Sequence, residues 1–550
     1  MRAYLTRAKQ TWLRPRRFEE LVRFDWPRSL ALILGGLVVS FFLFGFWWPY
    51  WRHADMDFWM VYEGFLYNDN LPQEYFDHPG YLTILAIGAW FRFLHGIGRL
   101  DVNALSALPA PAEAHDAWTH AVRAGRLLSL LLAVSFVTAF GFLLRRLIGD
   151  WRIAVLGTFA LTFSGGLMMQ ARIMRTELIS AGLVTISLLM FLIAARSPRL
   201  AWRPLLVGAG AFLATLGYVN KVQVIVLICA LPLVVLAFGT RSDESGGFWR
   251  TSPLALPLAA LSAAAAALAA IPAAALVELG LSDMAMQIFS WRPLPLGLSG
   301  LYQPLIAGWI VLAMLIFAAI WRVSLSETLV AIAAVVAGVA LGLLSLKLRY
   351  DPKNVLVALN PLEQLLSFAV INQSSCLGLA PKGGLICSLI EGIGDVIARR
   401  TFVLHTSSRP TIFLEWFVLA AAFVTWRRGE RGLAGTAAVV MLVVWGVDTI
   451  GTLRGLKNEY FLYTDPLVIV AAAMLLSQFA DLRRHRWVFQ AGVLLFLIHV
   501  FLSLAEPVKH TLMRRQPTIF CQPHMHYTKR IVSYSYCPAE IRDRAPAQSN

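Results

Sequence analysis

The chain is built largely of apolar blocks of about 17 to 25 residues, separated by connections rich in Lys and Arg. A helix of that length crosses the hydrocarbon layer of a bilayer, where each backbone N–H and C=O must be paired within the segment. Only 15% of the 550 residues are charged, whereas a soluble chain carries roughly a quarter. The sequence therefore predicts an all-α polytopic membrane protein.

About thirteen membrane-spanning helices are expected from these blocks. Lys and Arg concentrate in alternate connections, which places those connections and the basic N-terminus in the cytosol and the C-terminus outside. This bias accounts for the net charge of +16, so we expect no nucleic-acid partner. The predicted spans are 29–48, 121–144, 153–169, 178–195, 205–219, 222–238, 254–277, 305–320, 328–346, 412–424, 434–452, 462–479 and 488–504.

The same pattern predicts how the chain is organised around its membrane part. In the first outer loop, the short apolar stretch from Tyr81 to Leu94 is expected to form an interfacial helix. The predicted parts are a cytosolic N-terminus (1–28), a transmembrane catalytic module (29–346) that includes the first outer loop (49–120), a large outer loop (347–410), C-terminal transmembrane helices (411–505) and an outer tail (506–550).

The five cysteines fit this topology. Cys376 and Cys387 share the large outer loop, and Cys521 and Cys537 share the outer tail. Two pairs on the side assigned to an oxidising compartment favour disulfides, with unpaired thiols as the alternative. Cys229 lies in a predicted span, where it is expected to act as a small hydrophobic residue.

Carboxylates stand immediately beyond the first span. Asp55 and Asp57 open the first outer loop, and His78 follows further along. A carboxylate at the hydrocarbon boundary is costly to desolvate, so it tends to face a water-filled cavity or a cation. Such a site can raise its proton affinity and make it a usable base. A divalent cation held by Asp55 and Asp57 is a second expectation for this pair.

Further polar residues from distant spans are expected at the same outer face. Such cations and carboxylates suit an anionic lipid headgroup and a hydroxyl to be activated, because Lys and Arg neutralise a phosphate leaving group as charge develops. Helix capping and snorkelling to headgroups explain each residue equally well when it is taken alone. The residues are Arg172, Arg175, Glu177, Lys221, Arg454, Lys457 and Glu459.

Along the chain come, in order, the motifs ADMDFW, FDHPGY, AGRLLSLL and RTELIS, then Lys221 and EYFLYTDPLVIVAAA. Together they resemble the motifs of the GT-C superfamily of polyprenyl-phosphate-sugar-dependent glycosyltransferases. The resemblance is greatest to the protein O-mannosyltransferase and aminoarabinose-transferase branches, and it covers roughly the first 240 residues and a later region around 454–473. The chain differs from the family pattern at three places. It has Asp55-Met56-Asp57 where the family has a tandem acidic pair, HPG where the family has HPP, and Glu177 where the family has Asp.

The resemblance implies an inverting sugar transfer on the outer face of the membrane. The Arg-rich, Ala- and Leu-rich composition suggests that this is a bacterial inner membrane. Asp55 or Asp57 would deprotonate the acceptor hydroxyl, and Glu177 would join them in the site. The acceptor would be an envelope lipid, glycan or protein, and the bilayer would deliver the polyprenyl-phosphate-linked donor. The residues implied to bind the donor phosphate or substrate are His78, Arg172, Arg175, Lys221, Arg454, Lys457 and Tyr460.

Other functions remain open at this stage. A secondary transporter or polyprenyl-lipid flippase would also use many spans, but transporters usually show internal repeats and charged or broken helices near mid-membrane. A lipid-linked glycan ligase or polymerase would share substrates, and a non-catalytic assembly protein would leave the polar cluster unexplained. The absence of a P-loop or dinucleotide fingerprint argues against nucleotide-driven chemistry.

Overall fold

The computed structural model consists of α-helices and short 3-10 turns, with no strand among the residues that it describes. Those residues are 25–50, 57–74, 80–111, 113–196, 203–221, 223–239, 302–349, 385–401, 409–452, 458–480, 482, 485–513 and 529–531, with isolated positions between 257 and 268. The helices are α1 (Trp26–Phe44), α2 (Trp59–Asn68), α3 (Tyr81–Gly96), α4 (Ala114–Ile148), α5 (Trp151–Thr162), α6 (Gly165–Gln170), α7 (Thr176–Arg196), α8 (Arg203–Asn220), α9 (Val224–Phe238), α10 (Tyr302–Trp321), α11 (Leu325–Leu344), α12 (Leu385–Thr401), α13 (Ile412–Arg427), α14 (Arg431–Thr452), α15 (Asp465–Phe479) and α16 (Arg486–Met513).

Six of these helices, α1, α4, α7, α11, α14 and α16, are long and apolar enough to cross a membrane. The prediction of an all-α multi-pass membrane protein is therefore confirmed. The predicted span 254–277 lies almost wholly outside the described residues, and the span 153–169 is divided between α5 and α6. Each of the other predicted spans overlaps one described helix. Because several of those helices are short, the expected thirteen spans stay a prediction.

The main hydrophobic core joins α1, α4 to α7, α9 and α13 to α16. Around it, large apolar side chains point outward from the helices: Leu43 is 63% exposed, Phe142 is 54% exposed and Phe501 is 77% exposed. Apolar residues exposed on many helices at once are what a surrounding lipid phase requires, since hydrocarbon rather than water then covers them.

The predicted third span is interrupted in the structure. Helix α5 ends at Thr162, and Ser164 caps α6 by accepting a hydrogen bond from the backbone N–H of Leu167. A Cβ at Gly166 would lie 2.6 Å from the backbone nitrogen of Leu462. The glycine therefore allows the 3-10 turn Asn458–Tyr463 to pack directly against α6.

The described residues between α1 and α4, which the sequence predicts to form the first outer loop, contain two helices. Helix α3 covers the predicted interfacial stretch, and α2, which the sequence analysis did not predict, packs beside it. Ile531 from the C-terminal tail is 3% exposed and belongs to the hydrophobic cluster around α2. The Nε of Arg530 also donates to Glu74, at 3.1 Å. The tail and the first outer loop therefore lie on the same face of the protein.

Helix ends from the N-terminal and middle parts of the chain meet at this face. The hydroxyl of Tyr81, at the start of α3, donates to the backbone oxygen of Ser345, just after α11, at 2.8 Å. Tyr81 also packs with Val219 near the end of α8 and with Leu346. Residues that the sequence places at outer helix ends are thus brought into one neighbourhood.

Candidate functional site

Asp57, one of the two predicted bases, is fully buried in a pair with Arg126. Its Oδ2 accepts hydrogen bonds from Nε and Nη2 of Arg126, at 3.0 and 2.6 Å, and its Oδ1 accepts from the backbone N–H of Met174, at 2.8 Å. Arg126 is the arginine of the AGRLLSLL motif. A carboxylate held this way by a guanidinium and a backbone N–H joins the first outer loop to α4 and to the segment before α7.

This geometry bears on the expected metal. The positively charged guanidinium of Arg126 lies beside the Asp57 carboxylate, and three hydrogen bonds already occupy the carboxylate oxygens. Asp57 therefore fits a divalent cation poorly. In the described part of the chain, no three His, Cys, Asp or Glu residues are grouped as a metal site would require. Asp55 lies outside that part, so a cation there stays a prediction.

Glu177, Lys221 and Arg175 meet in a second buried cluster. The Nζ of Lys221 lies 2.7 Å from Oε1 of Glu177, and both side chains have no exposed surface. The Nε of Arg175 lies 3.5 Å from Oε2 of the same carboxylate, and its side chain is 10% exposed. Two cations thus share one carboxylate. Lys and Arg side chains gathered in this way are the groups that bind phosphate through charge-assisted hydrogen bonds.

Lys221 is placed by the break between α8 and α9. Helix α8 ends at Asn220 and α9 begins at Val224, as the sequence predicted from the short polar interruption there. The backbone N–H of Lys221 still donates to Gly217, at 3.1 Å, which extends the last turn of α8. The ammonium group therefore projects from a helix end toward the first turn of α7, where Glu177 lies.

Asn220 holds this break in place, and the sequence analysis missed it. Its Oδ1 accepts from the backbone N–H and the hydroxyl of Thr83, at 3.0 and 3.2 Å. Its Nδ2 donates to the backbone oxygen of Thr176 and to the hydroxyl of Ser180, both at 2.9 Å. One fully buried amide thus joins α3, α7 and α8. A polar residue beside Lys221 in an apolar block was the only signal for it.

The 3-10 turn Asn458–Tyr463 closes the other side of the cluster. The predicted site residue Tyr460 lies in it and is half-buried against the main core. Tyr463, which the sequence analysis did not select, is 5% exposed and lies close enough to Glu177 and Arg175 for electrostatic interaction. The turn therefore places a buried phenolic side chain beside α7.

Arg172 has a different environment from Arg175. Its Nη1 donates to the backbone oxygen of Met168, and its Nη2 donates to the hydroxyl of Ser40 at 3.0 Å. A Cβ at Gly45 would lie 2.6 Å from the Cγ of Arg172, so the glycine makes room for the buried side chain. These contacts direct Arg172 toward α1 and α6 rather than toward the carboxylate of Glu177.

Several predicted site residues lie outside the described part of the chain. They include a candidate base, three candidate phosphate-binding residues and the cysteines of both expected disulfides; Cys387 lies in α12, but its side chain is not described. Apart from Cys387, the residues that lie wholly outside the described part are Asp55, His78, Arg454, Lys457, Cys376, Cys521 and Cys537.

An apolar cavity of about 200 Å³ lies between α8, α9, α10 and α11. Along α8 it extends from Thr215, six residues before Lys221, to Arg203 at the start of the helix. At 1.5 Å per residue this is a span of roughly 18 Å. Its walls are almost entirely aliphatic and aromatic. The cavity therefore suits a hydrocarbon chain, with Thr215 marking the end of its lining on α8 that is nearer to Lys221.

Comparison with known proteins places the chain in no family: no family model, no curated protein and no solved structure matches it.

Proposed function

We propose that the protein is an integral membrane glycosyltransferase that moves a sugar from a polyprenyl-phosphate donor to an acceptor hydroxyl on the outer, periplasmic face of a bacterial inner membrane. The observation that carries the proposal is the buried Glu177–Lys221–Arg175 cluster. It holds two cations beside one carboxylate, and Lys221 follows Thr215, which lines the apolar cavity, by six residues along the end of α8. A phosphate ester on a long hydrocarbon chain matches both features at once.

In the proposed reaction, the acceptor oxygen attacks the anomeric carbon as a carboxylate removes its proton. The bond from that carbon to the phosphate oxygen breaks, and polyprenyl phosphate leaves with the electron pair. Lys221 and Arg175 offset the charge that develops on the phosphate. Glu177 holds both cations in place through its two oxygens.

We assign the base to Asp55 rather than to Asp57. The oxygens of Asp57 are already engaged by Arg126 and by the backbone N–H of Met174, so a proton would have to displace an existing hydrogen bond. Asp55 is the other acidic residue of the ADMDFW motif. No step of this mechanism uses a metal.

The test is transfer of label from a panel of polyprenyl-phosphate sugars to a crude envelope extract, with purified protein in lipid. Lys221→Ala should lower the transfer rate about 100-fold or more, as expected when one donor to a developing oxyanion is removed. Lys347→Ala, which removes an exposed lysine just beyond α11, is the matched control and should keep the wild-type rate. Asp55→Asn should abolish transfer.

The outcomes separate the proposal from its rivals. Polyprenyl phosphate binding without transfer from any donor would overturn the transferase assignment in favour of a flippase. Transfer that is unchanged in Lys221→Ala would show that the phosphate binds elsewhere. If the protein neither binds polyprenyl phosphate nor transfers sugar, both functional assignments are wrong and only the membrane architecture is retained.

A further inference from the structure

A second buried charge cluster lies beside the turn Asn458–Tyr463, in the C-terminal helices. Arg409, just before α13, donates from Nε and Nη2 to Oδ1 of Asp465, at 2.9 and 2.7 Å. Its Nη1 donates to Oδ2 of Asp448, at 2.6 Å, and lies 3.3 Å from Oε1 of Glu415. All four residues are less than 10% exposed. One guanidinium thus links the outer ends of α13, α14 and α15.

The same guanidinium contacts Phe461, within the turn, and Thr464, directly after it. Nη2 of Arg409 donates to the hydroxyl of Thr464, at 2.7 Å, and that hydroxyl donates to Oδ1 of Asp448, at 2.8 Å. The centre of the guanidinium also lies 4.4 Å from the ring centroid of Phe461. Arg409 is therefore bound on either side of Tyr463, by stacking on one side and by a hydrogen bond on the other.

Tyr463 is the residue of this stretch that faces the first charge cluster. The turn packs against α7, whose first turn carries Glu177, and Tyr463 is buried in the core that it shares with α7. A 3-10 turn is short and has poor hydrogen-bond geometry, so it needs outside contacts to keep one conformation. Packing against α6 at Gly166 is one such contact, and Arg409 provides others.

We propose that Arg409 is a positioning residue that holds residues 461–464 so that Tyr463 stays opposite Glu177 and the phosphate site. This inference rests on the proposed function for its ligand, a polyprenyl phosphate. The planar guanidinium has five donors in a fixed fork and can stack on an aromatic ring, whereas a lysine offers a single point charge. Arg409→Lys therefore keeps the charge and loses the simultaneous contacts to Thr464, Phe461 and the carboxylates.

The experiment combines hydrogen exchange of the whole protein in nanodiscs with binding of polyprenyl phosphate. In Arg409→Lys, exchange of the backbone amides of 458–463 should become about tenfold faster. The affinity for polyprenyl phosphate should fall about tenfold, and α13 to α15 should keep their protection. Thr464→Val, which leaves every charge in place, should give a smaller shift in the same direction.

Two further variants make the test specific. Arg428→Lys is the matched control, because Arg428 pairs with Glu430 at 2.8 Å and lies over the ring of Phe479 at the opposite end of α13. It should leave both readouts at wild-type values. Tyr463→Phe should weaken binding without speeding exchange, which assigns the loss of affinity to the hydroxyl that Arg409 positions.

Each alternative result has one meaning. Wild-type exchange and affinity in Arg409→Lys would overturn the inference, as would an equal rise in exchange throughout α13 to α15, which is what a purely structural ion pair predicts. If the wild-type protein binds no polyprenyl phosphate, the proposed function fails. The exchange of 458–463 then still decides whether Arg409 holds the turn.

Discussion

At the scale of single residues, the two acidic positions of the first outer loop are not equivalent. The sequence shows them as alternatives, because a carboxylate just beyond a span suits a base and a structural pair equally well. The partner of Asp57 is Arg126, 69 positions away. No local periodicity can reveal such a pairing, so the burial of Asp57 was not predictable from the motif alone.

We predict that Asp57→Ala destabilises the folded protein by about 3–5 kcal/mol, because it leaves the buried charge of Arg126 uncompensated. Equilibrium unfolding in mixed micelles measures this change. Asp101→Ala removes an exposed carboxylate from the same loop and should change stability by less than about 0.5 kcal/mol. Equal stability of the two variants would show that the Asp57–Arg126 pair does not form in the membrane.

Glu177 and Lys221 were both selected from the sequence, and the structure brings them together. They could be found because charged residues at the edges of apolar blocks are rare and costly. Asn220 and Tyr463 were missed because an amide and a phenol are common at helix ends, where capping and interfacial anchoring account for them.

The motif HPG has a local physical reason in this chain. Gly80 has a φ of 61°, in the left-handed region, and its backbone N–H donates to the backbone oxygen of Asn220 at 3.0 Å. Proline can satisfy neither condition, since its ring fixes φ near −65° and it has no N–H. The glycine of this motif therefore fits a loop geometry beside Lys221 that proline could not adopt.

Gly80→Ala should cost about 1–2 kcal/mol of stability, the penalty for a left-handed residue with a Cβ. Gly80→Pro should cost about 3 kcal/mol or more, because the hydrogen bond to Asn220 is lost as well. Gly96→Ala at the end of the same helix is the control, since a Cβ there meets nothing within 4 Å. Thermal unfolding in detergent compares the three, and a tolerated proline would contradict the conformation of this loop.

At the scale of helices, the apolar blocks predicted where helices form but not how closely they pack. Helices α8 and α11 approach so tightly that a Cβ at Gly338 would lie 2.2 Å from the backbone oxygen of Gly208. Gly338 and Gly342 form a small-xxx-small pattern, which permits such contact between membrane helices. That pattern was present in the sequence, but it does not identify which helix it will contact.

Gly338→Ala should destabilise the α8–α11 pair by about 1–3 kcal/mol, because the added methyl group forces the two backbones apart. Since both helices line the apolar cavity, the variant should also bind polyprenyl phosphate less tightly. Gly308→Ala in α10 places its Cβ where nothing lies within 4 Å and serves as the control. Wild-type stability in Gly338→Ala would contradict the close approach of these helices.

At the scale of the whole molecule, the sides of the membrane follow from counting spans. A single missed or extra span reverses every later connection, so the agreement of short basic connections on one side is a strong internal check. The contact between Arg530 and Glu74 is consistent with it, because it places the tail and the first outer loop together. Absolute orientation depends on charge bias, which contacts within the protein do not measure.

We therefore predict the exposure of three epitope tags in cells whose outer membrane has been removed. A tag at Ala110, in the first outer loop, and a tag after Asn550 should both bind antibody. A tag at Gly429, between α13 and α14 beside Arg428, should bind only after permeabilisation, because the basic connections face the cytosol. A globular control protein in the cytosol should remain unlabelled until the same step. The reverse pattern would invert the topology. Exposure of all three tags would instead show that an even number of spans separates residue 110 from residue 429, and also residue 429 from the tail, whereas the predicted spans give an odd number for both intervals.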